Sequence, residues 1–284
     1  MSRLPHFTCN LNPRQRLTME VCVDSVESAL AAVRGGADRI ELCGNLGLGG
    51  GTTPTIGLLR SVQNAVPNIP IMASVMIRPR TGDFVYSEPE LQVMLEDIYA
   101  FAQHNIQGVV FGVLTSDGSI DIGKTQRLVS AALPLEVCFH RAFDMTADVK
   151  AGWNQLVQVH GITRVLTSGH CRNAIFPEAI ETLANLLNAA NALVTGTNTV
   201  PIGVLPGSGV NAATASTLCE ALLSHGLKEI HLSGGKWIDG ASTHRCEGMG
   251  MGAGGAGEWG IWRTDEHEIR MVREIIDKVC SCMG

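Results

Sequence analysis

The chain has 284 residues, 45% hydrophobic and 17% charged, with a formal net charge of −6. That is enough apolar material for one large core. The acidic balance excludes the basic footprint of a nucleic-acid binder and the polybasic cluster of a membrane-surface binder. No apolar run approaches the roughly 18–20 residues that span a bilayer. Residues 1–16 are polar, carry Pro5 and Pro13, and lack the apolar stretch of a secretory signal. They read as a flexible tail, with one domain over 17–284. The expected location is cytoplasmic, with a nuclear share allowed.

In chain order, residues 17–23 form a β-rich run, followed by a helical pattern over 25–36 that opens on Asp24/Ser25 and closes on glycine. Strand and helix then alternate: 39–43 and 55–66, 71–77 and 88–104, 108–114 and 121–132, 135–140 and 147–160, 164–167 and 174–190, 200–205 and 212–225. An eighth strand spans 229–233, and a last helix runs from about 265 to 279. Such alternation implies βαβ units and a parallel sheet. Eight units in one domain favour α/β architecture as a single-domain (β/α)8 TIM barrel. An open doubly wound sheet fits less well, because the turn Val23-Asp24-Ser25-Val26 lacks the glycine fingerprint. Two stretches break the rhythm. Residues 188–199 read as an enlarged connection, and 236–264 as a long Gly/Met-rich loop.

Successive strand residues face opposite sides. Met19, Val21 and Val23 oppose Glu20 and Cys22; Ile40 and Leu42 oppose Glu41 and Cys43. Val75 and Ile77 oppose Ser74, Met76 and Arg78. Val137 and Phe139 oppose Glu136, Cys138 and His140; Ile230 and Leu232 oppose His231 and Ser233. The apolar sets belong against outer helices, so the polar sets point into the barrel, where branched apolar side chains are the rule. Buried carboxylates need partners, and Arg78 and His140 are the expected compensating groups. Glu20, Glu41, Arg78, His140 and Asp144 are therefore candidate catalytic residues at the C-terminal mouth; a buried ion network that merely fills the barrel is the alternative. Glycines after the seventh and eighth strands suit an anion or phosphate site. Its candidates are Ser168, Gly207, Ser208, Gly209, His231, Ser233 and Gly234, and tight-turn glycine is the competing explanation.

The nine cysteines are odd in number and widely spaced, which argues against a disulfide framework. The terminal Cys280/Cys282 pair reads as incidental. Cys22 and Cys43 occupy matching places on neighbouring strands about 4.8 Å apart, and soft thiolates suit Cu(I); both also serve as small buried hydrophobes. His244, Cys246, Met249 and Met251 form a second, weaker set of soft ligands in the long loop.

Six segments carry a resemblance: Met19-Glu20-Val21-Cys22, residues 36–43, Met76-Ile77-Arg78-Pro79-Arg80, Gly82-Asp83-Phe84, Phe139-His140-Arg141-Ala142-Phe143-Asp144 and residues 164–169. In that order and spacing they resemble the CutC family, and the match continues more weakly through 206–210 and 231–234. The resemblance implies a TIM barrel, a cytosolic copper-homeostasis role and a Cu(I) site at Cys22 and Cys43. It also implies a homo-oligomer, dimer or tetramer. This chain departs from the family pattern at residues 188–199 and 236–264, and at Ser208, where glycine or alanine is commoner. Two functions follow as expectations. One is Cu(I) binding and buffering or trafficking. The other is an enzyme of lyase, isomerase or hydrolase type acting on a small anionic, phosphorylated or unphosphorylated metabolite. There, Glu20 or Glu41 serves as base, His140 as acid and Arg78 as the neutralising charge.

Overall fold

A computed structural model describes residues 16–66, 72–196 and 201–283; apart from Arg16, the expected N-terminal tail lies outside them. Strands β1 (Thr18–Val23), β2 (Arg39–Leu42), β3 (Met72–Met76), β4 (Gly108–Phe111), β5 (Glu136–Phe139), β6 (Arg164–Thr167) and β7 (Gly203–Pro206) pair in sequence. β8 (Glu229–Leu232) pairs with β1. All these pairings are parallel. β7 and β8, the two ends of the ladder, pack against each other and nearly close the barrel. The connecting helices are α1 (Val26–Arg34), α2 (Ile56–Ala65), α3 (Glu88–Ala102), α4 (Ile122–Ala132), α5 (Val149–Val157), α6 (Pro177–Gly196) and α7 (Ala215–Leu222), with α8 (Glu266–Met283) last. This is the single-domain α/β barrel that the alternation predicts.

Local chemistry explains where the helices begin. Side-chain oxygens of Ser25, Thr55, Ser87, Asp121 and Asp148 accept from backbone N–H groups three residues on, satisfying donors that the first helical turn leaves free. At α3 the arrangement is reciprocal, because Glu90 also bonds the Ser87 backbone N–H. Period-2 alternation splits the buried side chains into two cores. Met19, Val21, Ile40, Leu42, Val109, Phe139 and their like face outward and pack with α-helical residues such as Leu59, Met94 and Leu128. A small inner cluster holds Cys43, Met76, Val110, Cys138, Leu166 and Leu205.

Two expectations need correction. Residues 188–196 continue α6 rather than forming a connection; apart from Thr195 they are Asn, Ala, Leu and Val, without a breaker before Gly196. Residues 197–200 lie outside the described residues. The span 236–264 is not one loop either. β9 (Gly235–Asp239) and β10 (Gly260–Thr264) form an antiparallel hairpin. Cross-strand partners Trp237 and Trp262 meet edge to face, with ring centroids 5.5 Å apart, and so fix the register. Residues 240–259 join the strands. His244 Nε2 and Cys246 Sγ stand 3.5 Å apart there, and Met249 and Met251 face solvent. No helix among the described residues is long and apolar enough to cross a membrane.

Candidate functional site

The barrel interior is charged from its base upward. At the N-terminal end, Arg39 lies between two carboxylates, bonding Glu20 through Nε and Glu229 through Nη2 at 2.5 Å. Arg164 pairs with Glu136 at 2.7 Å. Burial alone would raise the Glu20 carboxyl, but Arg39 and His231 outweigh it and hold the group at about 2. Glu20 is thus a buried anion held between Arg39 and His231, beneath the mouth. Its compensating charges are these two, not Arg78 and His140 as the sequence suggests. The same alternation carries the missed groups: Arg39 sits two before Glu41, and Glu229 two before His231.

One layer higher, Cys22, Glu41 and His231 converge. Their ligand atoms lie within 4.8 Å of one another and all three residues are buried. β1 and β2 create this grouping by register: Cys22 stands opposite Glu41, and Glu20 opposite both Arg39 and His231. The matching placement expected for Cys22 and Cys43 is therefore corrected. Tilted barrel strands are staggered, and the stagger sets Cys43 one step beyond Cys22. Cys43 Sγ donates to the Val23 carbonyl at 3.4 Å, inside the inner apolar cluster. His231 Nδ1 meets Glu20 Oε1 at 2.6 Å, which fixes the ring and leaves Nε2 as its remaining ligand atom. Burial would lower the His231 pKa, but Cys22, Glu20 and Glu41 raise it well above the usual imidazole value. Burial, reinforced by the Glu20 charge, lifts the Glu41 carboxyl to about 7, and its Oε2 has no hydrogen-bond partner. Burial likewise raises the thiols of Cys22 and Cys43.

Above this layer opens a cavity of about 720 Å³. Cys22, Glu41 and His231 line its floor, and Met76, Arg78, Phe84, His140 and Leu166 line it too. Ser208, Gly209, Ser233 and Gly234 reach it from the loops after β7 and β8, while Lys236 and Trp262 come from the hairpin. Glu20, Cys43, Ser168 and Gly207 are not part of its wall. Gly207 instead makes room for its neighbours, since a Cβ there would lie 2.7 Å from Leu166 Cδ1 and 3.2 Å from the His231 Cβ. Ser208 holds a left-handed φ of 80° while its hydroxyl donates to the Arg172 carbonyl. Asp144 lines the cavity but is fully engaged. It accepts from Arg141 Nε, from the hydroxyls of Thr167 and Ser168, and from the backbone N–H groups of Ser168 and His170. It ties the loop after β5 to the loop after β6. Trp262 and Lys236 were not legible as site residues, because the hairpin that delivers them reads as a loop.

Comparison with known proteins matches residues 17–236 to the CutC family. The copper homeostasis protein cutC homolog of Homo sapiens is 40% identical over 262 residues, which cover 92% of this chain and 89% of that protein. The homolog of the same name from Mus musculus is 42% identical over 92% of this chain and 90% of its own length. A structure solved for CutC of Streptococcus agalactiae superposes with a TM-score of 0.66 at 32% identity, covering 76% of this chain and 98% of that one.

Proposed function

The chain belongs to the CutC family, and from that membership we propose that it takes up copper, as Cu(I), at the floor of the barrel mouth. Cys22, His231 and Glu41 are the proposed ligands. The observation that carries this is the convergence of their three ligand atoms within 4.8 Å, beside a Glu41 oxygen with no other partner. A thiol and an imidazole suit a soft ion, and the Glu20 brace on His231 is the outer-shell contact that metal-binding imidazoles commonly make. The ion is cargo in this reading, and the role is copper homeostasis by buffering or delivery in the cytosol, in a dimer or tetramer.

Anaerobic titration with Cu(I) against a competing chelator tests the site. Cys22→Ser should remove most of the tight binding, and Cys22→Ser with Cys43→Ser should abolish it with circular dichroism unchanged. Cys43→Ser alone should retain most of it. Stoichiometric binding by the double variant would reject the site, and equal losses from either single variant would reject the ligand assignment.

A second reading rests on the cavity itself, whose 720 Å³ far exceeds the needs of one ion and falls in the range of small-molecule sites. In this reading the mouth also binds a small anionic metabolite, with Arg78 and His140 on its wall.

A further inference from the structure

Among the described residues, the buried arginines of this barrel are paired with carboxylates except one. Arg39 and Arg164 have the partners given above, and Arg273 lies 2.9 Å from Asp38 and also pairs with Asp277. Arg78 is 6% exposed and forms no ion pair among those residues. Its Nη1 donates to the carbonyls of Gly49 and Gly51, both at 2.9 Å, and its Nη2 to Gly82 at 3.2 Å. Nε is left with no partner. The Tyr86 hydroxyl is close enough to feel this charge. A buried cation with no carboxylate beside it is costly unless an anion completes it, and this one borders the mouth cavity.

His140 supplies the second half. The Ala142 N–H donates to its Nδ1 at 3.2 Å, so Nδ1 is the acceptor nitrogen and Nε2 carries the proton. His140 is 4% exposed, lines the same cavity, and its Nε2 is unpartnered. Phe84 fixes both groups. Its ring centroid lies 5.0 Å from the Arg78 guanidinium carbon and 4.8 Å from the imidazole centroid. The charged groups facing His140 are Arg78, Arg141 and Asp144. Burial, then the Arg78 charge, lowers the imidazole to about 3, so it stays a neutral donor.

Resting on the second reading above, we propose that Arg78 and His140 form a carboxylate-receiving site. The guanidinium Nε–H and the imidazole Nε2–H donate to the two oxygens of a small organic carboxylate, whose body lies against Phe84, Met76 and Leu166. His140 acts there as a fixed neutral donor rather than as an acid. Two single donors flanking a planar ring match the planar carboxylate better than a phosphate, which draws on several backbone N–H groups at once.

Pyruvate is the probe and inorganic phosphate the comparison, added to the full chain and followed by side-chain ¹H–¹⁵N spectra. Pyruvate should shift both the Arg78 Nε–H and the His140 Nε2–H signals, and phosphate at equal concentration should leave them in place. His140→Phe should weaken pyruvate about 10-fold, and Arg78→Met by about 30-fold or more. Arg78 also anchors two loops, so His140→Phe and the wild-type spectra decide if Arg78→Met does not fold. Undiminished binding in His140→Phe, a proton on Nδ1, or an imidazolium at pH ~6 would overturn the proposal; so would shifts caused by phosphate but not pyruvate. Pyruvate that perturbs other cavity residues but neither of these signals would overturn the carboxylate site and keep the metabolite reading. Pyruvate and phosphate that perturb no cavity residue would overturn both.

Discussion

Arg39 shows how far side-chain chemistry in this barrel follows from simple alternation, and where it escapes notice. Strand periodicity puts Glu20, Glu41, Arg78, His140 and His231 inside, and all five are buried. The partner of each was not legible, because partnership depends on strand stagger, which one sequence does not reveal. Glu20 thus meets Arg39 and His231, while Arg78 meets backbone carbonyls. Removing one member of a buried pair leaves an uncompensated charge and costs about 3–5 kcal/mol. Arg39→Met should therefore destabilise the protein by about that amount in urea denaturation. The carboxyls also predict a pH response in metal-free protein. Glu20 is held at about 2, below its ordinary value of 4.5, so its stabilisation is complete above 4.5 and is lost as pH falls toward 2. Glu41 has the opposite sign. Its folded value of about 7 means the unfolded chain releases the proton first, so stability declines as pH rises from 4.5 toward 7. Glu41→Gln should flatten that decline between about pH 5 and 6, read from denaturation midpoints.

Element boundaries were most legible where capping residues mark them. Ser25 precedes α1, Ser87 and Glu90 bracket the start of α3, and Asp121 precedes α4. Ser87→Ala removes the capping-box acceptor and should cost about 1 kcal/mol in thermal or chemical denaturation. The hairpin was illegible for a different reason. Its two short strands are separated by residues 240–259, and their five-residue ladder, with one tryptophan contact, closes across that distance. The connecting residues are largely exposed. Replacing 241–258 with a short glycine-containing turn should therefore leave the melting temperature of the barrel unchanged, and calorimetry checks it. A marked drop would mean that the connection supports the barrel beneath it.

At the scale of the molecule, two nested cores divide the work. The outer one, between strands and helices, is apolar and continuous. The inner one is a thin band of six residues, with ion pairs below it and a cavity above. Barrel interiors are usually filled by branched side chains in layers; here a cavity of about 720 Å³ stands above the inner band and leaves space for ligands. Two glycines make room for side chains that border it. A Cβ at Gly112 would lie 2.7 Å from His140 Nδ1, and one at Gly207 would lie 2.7 Å from Leu166 Cδ1 and 3.2 Å from His231 Cβ. The His140 imidazole thus occupies the volume of a methyl group that Gly112 lacks, while Leu166 and the His231 side chain share the space beside Gly207. The two histidines are then not independent sequence positions. Aligned relatives should show Gly112 varying with residue 140 and Gly207 with residues 166 and 231, so that a larger residue on one side accompanies a smaller one on the other.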